Sequence, residues 1–138
     1  MSHIVRVKNI EMSDQVAREM AVARMDTARY VKPGTKRGQR ETAQSEAEAT
    51  GTHGMYGSQK AEGIGIMLEG WDYPIVINAE SKPQYDSYGC RAGTSHEIDE
   101  LVAYYSCEKA KIDAQLKGIC LQEVETEDEI KLVATIDG

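Results

Sequence analysis

The residues of this chain that could do chemistry are its three histidines, its three cysteines and two aspartates in neighbouring turns. Several of them are ligand types that Zn²⁺ takes in a tetrahedron, namely His3, His53, His96, Cys90, Cys107 and Cys120. Their spacing contains neither a C-x-x-C pair nor an H-x-x-x-H pair. The sequence therefore predicts no metal site and no cofactor.

Two further arrangements could support catalysis. Cys90 lies in a glycine-flanked loop beside Arg91 and six residues before His96, and a neighbouring cation lowers the pKa of a thiol. Asp72 and Asp86 sit in successive turns that could meet at one end of a sheet, where two acids can do acid–base work. No base with an orienting partner accompanies Cys90, and turn aspartates more often bond their own backbone. The sequence assigns no catalytic residue and favours a protein that is not an enzyme.

Aromatic residues gather in two loops and on a long predicted helix. They are Trp71, Tyr73, Tyr85, Tyr88, Tyr104 and Tyr105. Such side chains suit binding interfaces, yet the chain has no Phe, so they could equally fill the core. The turns at 70–74 and 85–93 could also form a ligand pocket at a helix N-terminus, which attracts anions. The candidate binding residues here are Trp71, Tyr73, Tyr85, Asp86, Tyr88 and Arg91.

Charge is unevenly distributed along the chain. The net charge is −7, which argues against a nucleic-acid partner. Residues 24–40 nevertheless carry six bases and one acid. Within this segment Lys36, Arg37 and Arg40 could hold a phosphate group or an acidic partner, although charge-rich loops are often merely solvated.

Length and hydropathy indicate one domain of 138 residues. The first ten residues lack the apolar run of a signal peptide, and no stretch approaches the ~18 apolar residues of a membrane span. Three cysteines without paired spacing favour free thiols in a reducing compartment. We expect a cytoplasmic protein (in the host cytoplasm if it is viral) without a membrane partner.

Periodicity predicts the elements that position these residues. A strand at 3–10 precedes a helix at 14–25, capped by Ser13, with an apolar stripe of Val16, Met20 and Ala23. Strands follow at 64–68 and 75–77. Pro83 is expected to end the second of these strands. A long helix runs from a capping box at Thr94 to Gly118, and a hairpin joins 119–124 to 130–136. Residues 30–62, rich in Gly and poor in apolar side chains, predict a mobile basic and Ala/Glu-rich insertion.

This order, β-α-β-β-α-β-β, predicts an α+β fold. Its first six elements match the ferredoxin-like β-α-β-β-α-β arrangement, with two helices on one face of an antiparallel sheet and an extra C-terminal strand at one edge. A competing topology keeps the elements and pairs the C-terminal hairpin separately.

Several short motifs carry a family resemblance over residues 1–10 and 56–136. They are Tyr56-Gly57-Ser58-Gln59-Lys60, Gly70-Trp71-Asp72-Tyr73-Pro74, Tyr85-Asp86-Ser87-Tyr88-Gly89 and Glu108-Lys109-Ala110-Lys111-Ile112. With them the chain resembles the uncharacterised family of the hypothetical chloroplast reading frame thirty-five proteins of plastids and cyanobacteria, which has relatives in other bacteria and in phages. The resemblance implies a shared fold and brings no catalytic residues. A family tryptophan expected near Ala92 is absent, and residues 24–50 do not align.

Two functions from different classes follow from these features. The first is a non-enzymatic interaction or regulatory module that self-associates or binds another protein through an aromatic loop surface and the basic insertion. The second is a small-ligand binder that takes a nucleotide or phosphorylated metabolite with the basic loop and the 85–97 turn. In a phage, such a binder would sequester a host signal.

Overall fold

The protein combines helices with antiparallel sheet. The computed structural model describes residues 4–6, 10–34, 40–86, 95–125 and 130–135, with residues 4–6, 95 and 135 described by their backbone alone. The strands in these ranges are β1 (Ile4–Arg6), β2 (Ala28–Tyr30), β3 (Thr50–Gly54), β4 (Lys60–Leu68), β5 (Ile75–Ile77), β6 (Pro83–Asp86), β7 (Cys120–Glu125) and β8 (Ile130–Thr135). The helices are α1 (Gln15–Arg24), α2 (Glu46–Ala49) and α3 (Ser95–Leu116). The predicted α+β class is thereby confirmed.

A six-stranded antiparallel sheet forms the centre of the molecule. Its order is β1-β6-β5-β4-β2, and β3 pairs with the first half of β4. Because β4 is nine residues long, β3 and β2 follow each other along one of its edges while β5 occupies the other. This arrangement makes β4 the strand that joins the two halves of the sheet.

The main core lies between the sheet and the two long helices, α1 and α3. Its fully buried side chains include Ile66, Leu68, Ile75, Ile77 and Leu101. Side chains alternate between the two faces of a strand, so Val76 joins a second, smaller cluster with Met55, Ala61 and Tyr73. All three residues of β5 are therefore buried.

The ends of the helices partly match the prediction. The N-cap of α1 is Asp14 and not Ser13, since the Asp14 carboxylate accepts a hydrogen bond from the Ala17 N–H at 3.0 Å. Gly118 takes a φ of 75° directly after α3, as predicted for a helix-ending glycine. The predicted capping residue Thr94 lies outside the described residues. Glu108, a charged residue on α3, is buried.

The observed strand order differs from that of the predicted ferredoxin-like topology. In the described part of the chain, the strand after the long helix, β7, pairs with β8 and does not enter the main sheet. An unpredicted strand, β6, lies between β1 and β5 instead. We interpreted Pro83 as a strand terminator, but it is the first residue of β6, where a missing N–H does least harm. The C-terminal hairpin pairs separately, as in the competing topology, but the main sheet contains three strands (β2, β3 and β6) that neither topology included.

The predicted insertion at residues 30–62 contains regular structure in its described part. It holds the end of β2, α2, β3 and the first residues of β4. Its expected lack of core residues is wrong, because Val31, Ala49, His53 and Met55 are buried. The low apolar content concealed these contacts, since they come from a few scattered residues of different kinds. The mobility of this segment stays a prediction.

The helices of the described residues are α1, α2 and α3. No helix among them combines the length and apolar character that crossing a bilayer requires.

Candidate functional site

The predicted aromatic surface lies largely in the interior. Trp71 and Tyr73 are buried, and the Trp71 ring packs edge-on against the half-buried Tyr85 with 5.9 Å between the ring centroids. Asp86 is buried too, and its carboxylate accepts a hydrogen bond from the Tyr56 N–H at 2.8 Å. The core alternative left open by the sequence is thus the one observed for Trp71 and Tyr73. Tyr88 and Arg91 lie outside the described residues.

The basic loop is described only at its end. Lys36 and Arg37 lie outside the described residues, whereas Arg40 is buried. Its guanidinium donates to the Gly34 carbonyl and, at 2.8 Å, to the Gly54 carbonyl. Burial lowers the pKa of Arg40 from its usual value. Because these bonds hold the guanidinium against the backbone, the structure gives Arg40 a role in fixing the chain around β3.

The candidate metal ligands and nucleophiles do not assemble in the described residues. No group of three or more His, Cys, Asp or Glu side chains there could hold a metal ion. His53 is buried with Nε2 2.8 Å from the Ala49 carbonyl oxygen, while His96 is exposed on α3. Cys107 is buried and Cys120 exposed. His3 and Cys90 lie outside the described residues.

A buried ion pair connects α1 to α2. Arg18 donates from Nε and Nη2 to the two carboxylate oxygens of Glu46 at 3.0 and 2.8 Å, and from Nη1 to the Met12 carbonyl at 2.6 Å. The Tyr30 hydroxyl donates to Glu46 Oε2 at 2.8 Å. Burial and the Glu46 carboxylate raise the pKa of Tyr30 far above its usual range. Glu46 on α2 is thus bonded to Arg18 on α1 and to Tyr30 on β2, and these bonds hold α2 in place against α1.

A second ionic cluster connects the hairpin β7–β8 to both long helices. Arg24 at the end of α1 donates to both oxygens of Glu123 on β7, at 2.6 and 2.9 Å, and to Glu108 on α3 at 2.9 Å. Lys111 adds contacts to Glu123 at 2.8 Å and to Glu108 at 3.1 Å. The Arg24 guanidinium also lies over the ring of Tyr104, 4.4 Å from its centroid. We call these residues (Arg24, Glu108, Lys111 and Glu123) the hairpin clamp.

The clamp includes a thiol and a strongly shifted carboxylate. Cys107 Sγ donates to Glu123 Oε1 at 2.8 Å. Hydrogen bonds from Arg24, and then from Cys107 and Lys111, lower the pKa of Glu123 to about 2. Burial and the bond to Glu123 raise the pKa of Cys107. The thiol is therefore held in its protonated, weakly nucleophilic form.

Next to the clamp, an apolar groove opens to solvent. It has a volume of about 690 Å³ and lies between α1, the second half of α3 and the start of β7. Its apolar lining includes Val16, Met20, Ile112, Ile119 and Leu121. Val16, Met20 and Ile119 are 56, 42 and 42% exposed, and Leu116 at the end of α3 is 83% exposed. Exposed apolar side chains grouped in this way are typical of a contact surface.

The groove does not follow from the apolar stripe of α1, because the spacing of apolar residues does not show which side of a helix becomes buried. The buried residues of α1 are Ala17, Arg18, Ala21 and Val22, which leaves Val16 and Met20 on the outer side. The small residues Ala17 and Ala21 allow α1 to approach α3 closely. One signal existed in the sequence: α1 carries more apolar side chains than one helix face can bury.

Comparison with known proteins adds no assignment. The chain matches no family model, and it has no significant match among curated proteins or among solved structures. The family resemblance described above therefore stays a prediction.

Proposed function

We propose that this protein is a non-enzymatic interaction module that binds an apolar segment of another protein in the groove between α1, α3 and β7. The observation that carries the proposal is the exposure of Val16, Met20 and Ile119 around this groove. This is the class of function that the sequence predicted. The proposed contact surface differs, because it is the groove and not the aromatic loops.

An amphipathic helix is the occupant that the groove fits best. Helices bind apolar grooves through side chains spaced three and four residues apart, and a groove between helices presents suitable ridges. Met20 has an unbranched, adaptable side chain, which suits such a contact surface. Lys111 and Gln115 at the groove supply polar partners for the edge of a bound helix.

The clamp supports the proposal by fixing one wall of the groove. Ile119 and Leu121 stand close to Glu123 along the same chain segment, and Glu123 is held to Arg24 on α1. The ion pair between Arg24 and Glu123 therefore connects two walls of the groove, α1 and β7. A preorganised groove loses less conformational entropy on binding than one that must form.

The alternative ligand-binding function finds no support at Arg40. This side chain is buried and its two terminal nitrogens already donate to backbone carbonyls. A phosphate group bound there would have to displace both bonds.

The test is a photo-crosslinking residue placed at Met20 in cells that produce the protein. We expect it to trap one partner protein, which the same residue at the exposed Glu80 does not trap. The trapped partner, once purified, should bind the wild-type chain and lose about tenfold or more in affinity to Met20→Lys, because a charge enters an apolar contact. The melting temperature of Met20→Lys should stay close to wild type, since Met20 is 42% exposed.

Three outcomes would count against the proposal. Equal adducts from positions 20 and 80 would show random encounter. A purified partner indifferent to Met20→Lys would bind elsewhere. Trapping of this chain alone would make a second copy the occupant of the groove.

A further inference from the structure

The outer edge of β8 is the side of this strand that faces away from β7. In the parts of the chain that the structure describes, β8 pairs with β7 and with no other strand. No described side chain of the hairpin belongs to either of the two core clusters, and a two-stranded sheet is only marginally stable in water. An open edge presents unpaired N–H and C=O groups that favour pairing with another chain.

We propose that two copies of this protein associate through this edge, with the β8 strands antiparallel and a two-fold axis at Val133. The two hairpins would then form one four-stranded sheet. This inference does not depend on the groove: its occupant is a second copy of the chain, and its surface is the opposite strand of the hairpin.

The faces of the hairpin restrict the register. Residues opposite each other in an antiparallel pair point to the same face. Neighbouring residues of one strand point to opposite faces. The two-fold axis must therefore lie at a residue position and not between two residues. With the axis at Val133, the two Val133 side chains are opposite each other, Leu132 is opposite Ala134, and Lys131 is opposite Thr135. Val133 is 49% exposed, so this pairing covers an apolar side chain that the hairpin leaves in water.

The charge on β8 favours this axis over the neighbouring one. Lys131 is the one charged residue of β8, and an edge lysine ordinarily discourages pairing. An axis at Leu132 would make the two Lys131 side chains diagonal neighbours, at roughly 7–8 Å. The axis at Val133 separates the two lysines by four positions along the strands. Their repulsion is then small.

A two-fold contact of this kind gives a dimer and no larger assembly, because each chain has one β8 edge and uses it in the contact. Six residues per strand make a small interface, so the association should be weak and reversible.

Analytical ultracentrifugation over a wide concentration range tests the proposal. Wild type should shift from monomer to dimer, and Val133→Lys should weaken the dimer by about tenfold or more, because like charges would face each other at the axis. Val124→Glu is the control, since Val124 is 45% exposed on the same face of the other strand and a glutamate there lies opposite Lys131, so that it adds a charge without a like-charge pair. Met20→Lys should leave the dimer intact. A wild type that remains monomeric, or a dimer indifferent to Val133→Lys, overturns the proposal.

Oxidative crosslinking gives a second readout that does not depend on a weakened dimer. In a chain with Cys90→Ser, Cys107→Ser and Cys120→Ser, Val133→Cys should form a disulfide-linked dimer. Val124→Cys should not, because it lies away from the axis. Circular dichroism checks that each variant is folded. Equal crosslinking of both cysteine variants contradicts the register.

Discussion

The main sheet and the C-terminal hairpin are held in place by different forces. In the sheet, Ile66, Leu68 and Ile75 are fully buried between β-strands and α3. The hairpin places Val124 and Val133 in solvent and is joined to the helices by the ion pairs of Glu123. One region is thus positioned by apolar burial and the other by charge.

This difference predicts that the two regions respond to different perturbations. Apolar burial is insensitive to ionic strength, while partly exposed ion pairs are screened by salt. The hairpin should therefore open without loss of the sheet.

Removing the buried carboxylate of Glu46 should cost the most. We expect Glu46→Ala to lower the free energy of unfolding by about 3–5 kcal/mol, because Arg18 then remains as a buried charge without its partner. Urea unfolding measures the loss. Glu41→Ala is the control: Glu41 pairs with Lys32 at the exposed surface, where a pair contributes about 0–1 kcal/mol. Equal losses in both variants would show that burial does not set the strength of these pairs.

Truncating the core leucine of α3 should cost about 2–5 kcal/mol, the usual range for a buried leucine. Leu101 is 1% exposed, whereas Leu116 on the same helix is 83% exposed. Urea midpoints of Leu101→Ala and Leu116→Ala should therefore differ widely. An unchanged midpoint for Leu101→Ala would mean that α3 does not pack on the sheet as described.

Neutralising the clamp should affect the hairpin alone. In Glu123→Gln the charge-assisted bonds to Arg24 and Lys111 are weakened, and such bonds contribute about 1.5–3 kcal/mol. Hydrogen exchange of β7 and β8 amides should become about tenfold faster or more, while β4 and β5 amides keep their rates. Glu125→Gln on the same strand is the control. Faster exchange throughout the sheet would contradict the separation of the two regions.

Acid should affect the two regions in different pH windows. Burial lowers the pKa of His53 below its ordinary 6.5, so unfolding takes up a proton and sheet stability falls as pH drops below 6.5. Glu123 has its pKa lowered from 4.5 to about 2, so the clamp is intact above pH 4.5 and is lost as pH falls towards 2. Unfolding free energies measured against pH should show the first step in wild type and not in His53→Gln. Hairpin amide exchange should report the second step.

The sequence correctly predicted those elements that have strong local signals. The long helix, its ending at Gly118 and the separate strands of the hairpin all follow from periodicity and from a glycine requirement. β2, β3 and β6 were missed because β2 has only three residues, β3 contains two glycines and β6 begins with proline.

The ionic clusters could not be predicted from local patterns. Arg18 and Glu46 are 28 residues apart, and Arg24 and Glu123 are 99 apart. In the sequence each of these residues looks like an ordinary surface charge. The groove was hidden for a related reason: spacing identified an apolar stripe on α1, but only the packing of α1 on α3 decided which side became buried.

The length of chain between Arg24 and Glu123 has a consequence for biosynthesis. Arg24 precedes Glu123 by 99 residues, so the ribosome adds Arg24 well before its partner. The sheet and both long helices can associate while the nascent chain is still growing, since domains fold during translation as their residues emerge. The hairpin can dock only once Glu123 has been made and has emerged, so growing chains pass through a stage in which Arg24, Glu108 and Lys111 lack this partner and the groove lacks one wall.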